Sequence, residues 1–589
     1  MLKTDLETAE VFNELFSNIM QNLNIPRFKN DEPIVNNISD PTLKAILKYR
    51  KHPGVITIRD KFKIKETFSF VEVDQKEIEK EILNMDVNKA SQSSDISDIP
   101  TKIVKENVDI FGNFVCTSFK NTIKSSCFYE NLKYADVTPL YKKGKKDVKD
   151  NYRPVSILPN LSKIFEKCMF KQITQFFDKI FSKYQCGFRK GFSTQQCLLA
   201  MLEKWKRSVD KGKVFGALLT DLSKAFDCLD HELLIAKLNA YGFSLNALKL
   251  IHNYLSNRKQ RTKINSSYSS WQDILFGVPQ GSILGPLLFN IYLIDLFFTI
   301  KDTDIASYAD DNTPYMSSDT IEGLIQSLEE VSKKLFKWFD DNLMKSNADK
   351  CHLLVNTNES VKITIRDFDI NNSSCEKLLG VKFDNKISFD EHITNLCKKG
   401  NRKLHALSRI TPYMNFSKRR ILMNAFFKSQ FSYCPLVWMC HSRANNNKIN
   451  RLHERCLRVI YSDKQSSFQT LLEKDGSVSI HNRNLQFLAT EMYKVKNNLS
   501  PSIIAELFEQ RNENYNLRNN NPFTIPAVRT VHHGSESISF LGPKIWNILP
   551  DNIKNAESLN VFKTKIKSWK PETCPCRLCR VYVQNVGFV

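Results

Sequence analysis

Apolar stretches at strand and helix spacing alternate with short polar segments along most of the chain. The continuous apolar run 214–220 has the length of a buried strand, and Asp221 stands at its end. A second apolar run at 305–309 and its return at 312–316 predict a hairpin, because Asp and Asn in the connection 310–312 tolerate tight-turn geometry. Two predicted strand ends therefore carry acidic side chains.

Most of the remaining pattern predicts helices. We expect helices at 8–23 and 75–85, the first followed by a polar linker and the second by a polar loop at 91–98. The region 386–480 is helical in pattern and basic, which is typical either of a surface that grips phosphates or of an ordinary solvated face. Its basic residues include Lys398, Lys399, Arg402, Lys403, Arg409, Lys418, Arg419 and Arg420.

The stretch 283–300 is apolar enough to resemble a membrane span. It contains Pro286, Asn290 and Asp295, however, and a buried helix accommodates these residues better than lipid does. We therefore predict a buried helix and no membrane association.

Three acidic side chains, Asp221, Asp310 and Asp311, are what a pair of hard divalent cations requires. Mg²⁺ prefers oxygen ligands and usually takes one or two carboxylates together with substrate phosphates. Two such ions stabilise both the attacking and the leaving oxygen of an in-line phosphoryl displacement. Nucleotidyl transfer with two Mg²⁺ or Mn²⁺ ions is the resulting hypothesis, although an Asp-Asp pair by itself is usually a solvated turn.

Further motifs in a fixed order strengthen this hypothesis. They are VTPLYKKG at 137–144, NYRPVSIL at 151–158, QCGFRKGFST at 185–194, FGVPQGSILGP at 276–286, YADD at 308–311, NADK at 347–350 and LLGVKF at 378–383. Together with the segment from Asp221 to Phe226, they resemble the reverse transcriptases of non-LTR (LINE-type, jockey-like) retrotransposons, most strongly over 120–390.

The resemblance implies an α+β fold of the right-hand polymerase type, with helical N-terminal and C-terminal extensions. The expected regions are an N-terminal helix and linker at 1–75, an N-terminal extension at 76–124, fingers and palm at 125–385, a helical thumb-like region at 386–480, and a C-terminal region with a Cys-rich tail at 481–589. It also implies an RNA-directed DNA polymerase whose partners are an RNA template, a DNA primer or target, and deoxynucleoside triphosphates.

The resemblance assigns roles to individual residues. Asp221 and Asp310 are the principal metal ligands, and Asp311 supports them. Arg153, Lys142 and Lys143 are the implied ligands of the triphosphate, and Gln280 with Gly281 contacts the incoming nucleotide or the template strand. Lys350 is the implied general acid for pyrophosphate. The implied template contacts are Phe188, Arg189 and Lys190.

Phe226 is the implied steric gate, because a bulky ring beneath the sugar collides with a 2′-hydroxyl. Each role has a simpler alternative. In these alternatives Phe226, Phe188 and Phe192 are core residues, Gln280 lies in a plain turn, and the run of lysines from Lys142 is a solvated loop. Lys142 and Lys143 are equally good candidates.

The composition agrees with a globular nucleic-acid-binding protein. The chain has 589 residues, enough for two to four domains, and is 42% apolar and 25% charged. A formal net charge of +22 favours polyanionic partners, but it suits ribosomal and chromatin proteins as well. The first residues carry no secretion signal, so we expect an intracellular protein of the nucleus or cytoplasm.

Most of the 15 cysteines suit free thiols in a reducing compartment. Cys574, Cys576 and Cys579 form a tight group that is a weak candidate for zinc. A structural zinc site needs four ligands, and the sequence offers only the distant His532 and His533 for the fourth.

Two other functions stay open. A viral-type RNA-dependent RNA polymerase shares the palm but usually has a small polar residue where Phe226 stands. A catalytically silent remnant that only binds RNA is the second alternative. Elements of this kind usually carry an endonuclease ahead of the polymerase, and 120 residues are too few for one, so a truncated element or a separate source of nicking is expected.

Overall fold

A computed structural model describes residues 4–23, 38–62, 66–88, 99–301, 303–511, 522–571, 574–576 and 578. The chain forms two compact units, each assembled from separated segments. The first unit comprises 1–182, 221–302 and 331–347, and the second comprises 183–220, 303–330 and 348–589. Both units contain helices and sheets, which confirms the mixed α and β class.

The strands of the described residues are, in chain order, β1 Ala135–Tyr141, β2 Tyr152–Ile157, β3 Val214–Leu219, β4 Arg258–Ile264, β5 Ser267–Tyr268, β6 Gln272–Ile274, β7 Asp304–Tyr308, β8 Asp311–Ser318, β9 His352–Val355, β10 Lys362–Ile365, β11 Phe368–Asn371, β12 Cys375–Leu378 and β13 Val381–Asp384.

The α-helices of the first unit are Asp5–Ser17, Ile19–Asn22, Pro41–Lys48, Pro53–Lys61, Gln75–Leu83, Thr101–Glu106, Val108–Ser125, Asn160–Phe177, His231–Ala240, Leu245–Leu255, Leu284–Tyr292 and Leu296–Thr299. Those of the second unit are Thr194–Asp210, Asp390–Ile410, Phe416–Leu422, Pro435–Trp438, Arg443–Tyr461, Phe468–Asp475, Ile480–Lys496, Ser502–Ala505, Ile538–Asn547, Asp551–Lys554 and Leu559–Ile566. The helix Ile321–Asp341 contributes to both units.

The first unit is built on a sheet with the strand order β2-β1-β4-β5, in which β6 also pairs with β4. β1 is antiparallel to β2 and parallel to β4. The amphipathic helix Asp5–Ser17 places Leu15 and Phe16 against Val137 of β1. It begins at a capping box, in which Thr4 and Glu7 exchange hydrogen bonds between side chain and backbone.

The second unit contains an antiparallel sheet with the strand order β7-β8-β3-β9. β3 lies in the interior of this sheet and is buried over nearly its whole length, which explains its continuous apolar sequence. Helix Thr194–Asp210 packs on the sheet, where Trp205 stacks on Phe215 with ring centroids 4.5 Å apart. Sheet and helix together hold both the end of β3 and the β7–β8 hairpin in place.

Most elements predicted from the sequence are confirmed within one or two residues. The helix predicted at 8–23 consists of Asp5–Ser17 and Ile19–Asn22, interrupted at Asn18. The helix predicted at 75–85 ends two residues earlier, at Leu83. The polar loop at 91–98 and most of the first linker lie outside the described residues, and the predicted region boundaries stay predictions.

Within the apolar stretch 283–300, Leu284–Tyr292 forms a buried helix, as predicted, and a second short helix, Leu296–Thr299, buries Leu296 alone. The acidic residue of the stretch, Asp295, is fully buried and pairs with Lys237 at 2.7 Å. Trp338 Nε1 donates a second hydrogen bond to this carboxylate at 2.9 Å, and Lys237 also donates to the carbonyl of Tyr292 at 2.7 Å. None of the helices in the described part of the chain has the length and hydropathy required to cross a bilayer.

Candidate active site

The acidic hairpin joins β7 to β8. Tyr308 pairs with Asp311, so Ala309 and Asp310 form the two-residue connection. The turn was predicted over 310–312, but Asp311 and Asn312 already belong to β8, and Ala309 takes the left-handed conformation with φ of 61°. Ala309 is buried, and its strained backbone is kept in place by the surrounding structure. Asp310 is thus half-buried in the turn, and Asp311 is exposed beside it.

The chain leaves β3 beside this hairpin. Thr220 donates a hydrogen bond from its hydroxyl to the carbonyl of Asn312 at 2.6 Å, in a bridge that continues the β3–β8 pairing. Asp221 is the next residue and is exposed. Its carbonyl accepts from the backbone N–H of Asn347 at 3.2 Å. Among the described residues, the carboxyl groups of Asp221 and Asp310 have neither an ion pair nor a hydrogen-bond donor.

Lys350 lies on the other side of β3. It ends the short helical turn Ala348–Lys350 and is exposed. The following strand β9 begins at His352, which pairs with Leu219 near the end of β3. This pairing places Lys350 next to the point where β3 ends.

The segment that contains the predicted template residues is fastened to the hairpin. Cys186 N–H donates to the carbonyl of Ser307 at 2.9 Å, and Ser307 N–H donates back to Tyr184 at 3.3 Å. A Cβ on Gly187 would lie 2.4 Å from the backbone nitrogen of Ala309, so only glycine fits this approach.

Phe188, Arg189 and Lys190 follow directly. Phe188 and Lys190 are exposed, and the Arg189 guanidinium lies over the ring of Phe192, 4.4 Å from its centroid. Arg189 also donates to the carbonyl of Gln185 at 3.1 Å. Phe192 packs partly against the core, whereas Phe188 does not have the burial of a core residue. The alternative in which Phe188 is a core residue is therefore wrong.

Phe226 and Gln280 come together within the first unit. The carbonyl of Phe226 accepts from Val278 N–H at 3.0 Å, and Gly277 N–H donates to Leu229 at 2.8 Å. The Phe226 ring is half-buried and stacks on Phe289 with centroids 4.2 Å apart. Phe226 precedes the helix His231–Ala240 and is not part of it.

Asp227 is a residue that the sequence analysis passed over. Gln280 Nε2 donates to both carboxylate oxygens of Asp227, at 2.8 and 2.9 Å. Burial raises the pKa of Asp227 to about 6, although the hydrogen bond from Gln280 and the charge of Lys224 oppose this shift. The signal that could have identified Asp227 is its position beside Phe226 in the same motif.

The loop that carries Gln280 also contacts β2. The backbone N–H of Ser156 donates to the carbonyl of Gln280 at 2.9 Å. Gly281 has φ of 151°, and a Cβ there would lie 2.1 Å from the Ser156 carbonyl oxygen. Gly281 therefore permits close backbone contact. Arg153 is exposed on the same strand, three residues before Ser156.

Lys142 and Lys143 are exposed in the connection between β1 and β2. Hydrogen bonds order this connection: Lys142 N–H donates to Asn151 at 2.8 Å, and the Tyr152 hydroxyl donates to Lys146 at 2.9 Å. The two lysines remain equally good candidates for binding the triphosphate.

Glu166 is a second residue that the sequence analysis missed. It is fully buried in helix Asn160–Phe177 and accepts hydrogen bonds from the N–H groups of Ile283 at 2.5 Å and Leu284 at 3.2 Å. These donors begin the helix Leu284–Tyr292, which follows the Gln280 loop. Burial raises the pKa of Glu166. No motif in the sequence marked this capping role.

The basic region 386–480 is helical, as predicted. Helix Asp390–Ile410 buries Ile393, Leu404 and Leu407 on one side. Its opposite side exposes four of the predicted cations, Lys398, Lys399, Arg402 and Arg409. Arg420 is also exposed, and its guanidinium pairs with the buried carboxylate of Asp475 at 3.2 Å.

The cysteine-rich tail meets a histidine that the sequence analysis did not consider. Cys574 and Cys576 lie beside His481, at the start of helix Ile480–Lys496. His532, one of the two proposed ligands, instead approaches Glu536 at 3.1 Å. Cys579 lies outside the described residues.

Comparison with known proteins finds one matching family model and several relatives. Residues 141–383 match the family model described as "Reverse transcriptase (RNA-dependent DNA polymerase)". The chain is 26% identical over 365 residues to the "Probable RNA-directed DNA polymerase from transposon BS" of Drosophila melanogaster, over 59% of this chain and 40% of that protein. It is 26% identical over 410 residues to the "RNA-directed DNA polymerase from mobile element jockey" of the same species, over 67% of this chain and 44% of the relative.

A third relative is the "Probable RNA-directed DNA polymerase from transposon X-element", 22% identical over 375 residues, 62% of this chain and 41% of that protein. The chain thus spans less than half the length of these curated relatives. Residues 141–383 are therefore similar to a reverse transcriptase domain. The relatives are named as RNA-directed DNA polymerases of mobile elements, jockey among them, so the resemblance drawn from the motifs is confirmed.

Proposed function

We propose that the chain is an RNA-directed DNA polymerase that extends a primer 3′-hydroxyl with deoxynucleoside triphosphates on an RNA template. The family match and the polymerases of mobile elements among its relatives support this activity. The observation that carries the proposal is the acidic hairpin of the second unit, which presents Asp310 and Asp311 beside Thr220, the residue that follows β3.

Asp221, Asp310 and Asp311 would hold the divalent ions. Carboxylate oxygens are the ligands that Mg²⁺ and Mn²⁺ prefer, and two of these groups have no cationic partner among the described residues. Bound ions would supply the charge that activates the primer hydroxyl and neutralises the leaving pyrophosphate.

The other site residues bind and orient the substrates. Arg153, with Lys142 or Lys143, donates to the triphosphate. Phe226 restricts the sugar to one without a 2′-hydroxyl, and Gln280, oriented by Asp227, contacts the nucleotide or template. Lys350 donates a proton to the departing pyrophosphate as a general acid.

Template and duplex contacts complete the proposal. Phe188, Arg189 and Lys190 extend from a segment fixed to the acidic hairpin, so template bound there lies near the site of chemistry. The exposed cations of helix Asp390–Ile410 would contact phosphates of the primer–template duplex. In this scheme residues 125–385 form fingers and palm, and 386–480 act as the thumb.

The decisive experiment measures Mg²⁺-dependent primer extension on an RNA template. Asp310→Asn is expected to lower the rate of primer extension at least about 10³-fold, because the substitution removes a charged metal ligand from the proposed reaction centre. Asp319→Asn is the matched control, because Asp319 is an exposed acid directly after β8 and pairs with Lys213. Unchanged extension by Asp310→Asn would contradict the proposal.

Parallel assays separate the alternatives. Preferential ribonucleotide incorporation would identify an RNA polymerase instead. Tight RNA binding without any extension by the wild-type chain would identify a silent RNA-binding protein.

A further inference from the structure

We propose that His481, Cys574 and Cys576 bind one structural zinc ion, which fastens the C-terminal segment to helix Ile480–Lys496. This site is separate from the proposed polymerase chemistry and does not depend on it. Its residues all belong to the second unit. Two are near neighbours in sequence, and the third lies 93 residues before Cys574.

The spacing of the three ligand atoms suits zinc. The sulfurs of Cys574 and Cys576 are 3.1 Å apart, and His481 Nε2 lies 3.4 Å from Cys576 Sγ and 3.9 Å from Cys574 Sγ. Tetrahedral zinc with Zn–S of about 2.3 Å and Zn–N of about 2.0 Å implies separations of about 3.8 Å between sulfurs and about 3.5 Å from sulfur to nitrogen. A shift of a few tenths of an ångström in each group accommodates the ion.

The donor chemistry selects the metal. Thiolates with imidazole favour zinc over Mg²⁺ or Ca²⁺, which take oxygen ligands. His481 and Cys576 are buried and Cys574 is half-buried, so the site is enclosed as structural zinc sites are. The described part of the chain supplies these three ligands, which leaves the fourth position to water or to a further protein group.

The same helix already holds the chain that leads to the cysteines. Gln486 Nε2 donates to the carbonyls of Lys567 at 3.1 Å and Trp569 at 2.8 Å. Cys574 and Leu578 pack against the core cluster of the second unit. A zinc ion bound by His481 would therefore add a second attachment between this helix and the C-terminal segment.

Metal analysis of the purified full-length chain tests the proposal. After expression with added zinc and gel filtration, we expect about one zinc per chain by mass spectrometry. His481→Asn and Cys576→Ser are expected to lower the zinc content at least about tenfold. The matched controls are His532→Asn and Cys127→Ser, which change an imidazole and an exposed thiol outside the proposed set of ligands.

Two measurements use the wild-type chain, so they remain informative if a variant does not fold. Cobalt in place of zinc should produce thiolate-to-cobalt charge-transfer absorption. Removal of the metal by a chelator should speed hydrogen exchange at 566–571 and 574–576 and leave the strands β3 and β8 unchanged. A chain without zinc, a cobalt spectrum without thiolate bands, or a Cys574–Cys576 disulfide in freshly isolated protein would overturn the proposal.

Discussion

The side-chain amide of Gln280 donates to both carboxylate oxygens of Asp227, at 2.8 and 2.9 Å, across 53 residues of sequence. Asp227 directly follows Phe226, whose carbonyl accepts from Val278, two residues before Gln280. The proposed sugar gate and the proposed nucleotide-contacting glutamine are therefore parts of one hydrogen-bonded arrangement. Asp227 acts on Gln280 as a positioning residue in this arrangement.

Asp227→Asn tests this relationship. The neutral amide can accept only one of the two hydrogen bonds, and hydrogen bonds to a charged group contribute about 1.5–3 kcal/mol. We expect the KM for the deoxynucleotide to rise about tenfold, which corresponds to about 1.4 kcal/mol. Asp273→Asn in the exposed strand β6 is the control and should leave KM unchanged. An unchanged KM in Asp227→Asn would show that Gln280 needs no such support.

The same carboxyl predicts a pH dependence. Burial raises the pKa of Asp227 from 3.8 to about 6, so between these values the native state holds more protons than the unfolded state. Its contribution to the free energy of unfolding therefore falls as the pH rises through this window. Extension activity should increase over the same range as the ionised carboxylate becomes available to Gln280. Both changes should be smaller in Asp227→Asn, measured by denaturant unfolding and by pH–rate profiles.

Phe226→Ala should relax the choice of sugar. Loss of the ring removes the obstacle to a 2′-hydroxyl, so the ratio of deoxy- to ribonucleotide incorporation should fall at least about tenfold. The variant also loses the stack on Phe289, and we expect a cost of about 1–3 kcal/mol in the free energy of unfolding for this half-buried side chain. Phe188→Ala provides the control, since it removes an exposed ring and should leave sugar selectivity intact. Equal selectivity in the wild type and Phe226→Ala would assign Phe226 to packing alone.

Gly187→Ala should disturb the acidic hairpin. The added methyl would lie 2.4 Å from the backbone nitrogen of Ala309, and such overpacking costs about 1–3 kcal/mol. We expect lower thermal stability together with a larger loss of extension activity, since the hairpin carries Asp310. Gly323→Ala is the control: its methyl would meet only the hydroxyl groups of Ser318 and Thr320, and helical alanine should keep or raise stability. Full extension activity in Gly187→Ala would show that the Gly187 segment and the acidic hairpin can move apart without loss of catalysis.

Lys237→Met should strongly destabilise the chain. Lys237 and Asp295 are both fully buried, and the substitution leaves a carboxylate without its cation. We expect a loss of about 3–5 kcal/mol in the free energy of unfolding, measured with urea. Lys48→Met breaks a partly exposed pair with Glu232 and should cost less than about 1 kcal/mol. The double variant Lys237→Met/Asp295→Asn should recover part of the loss, because it removes the unpaired charge; no recovery would assign the cost to packing.

The local hydrophobic pattern was sufficient to predict β3 and the β7–β8 hairpin, the elements that carry the candidate acidic residues. The run that forms β3 is apolar throughout because the strand is buried in the interior of a sheet, and this burial is visible in the sequence. The hairpin was placed correctly, but its turn was shifted by one residue. The left-handed residue is Ala309, whose conformation is imposed by its neighbours, against its own preference.

The sequence by itself determined the resemblance to reverse transcriptases, the candidate acidic residues and the order of the strands and helices around them, since motif chemistry and hydrophobic period are local properties of the chain. Only the tertiary structure decided that Gln280 is held by Asp227, that Glu166 caps the helix after the Gln280 loop, and that His481 is the imidazole beside Cys574 and Cys576. These partners lie 53 to 117 residues apart along the chain. These contacts depend on how whole helices and strands pack against one another. The hydrophobic period along a single segment carries no information about that packing.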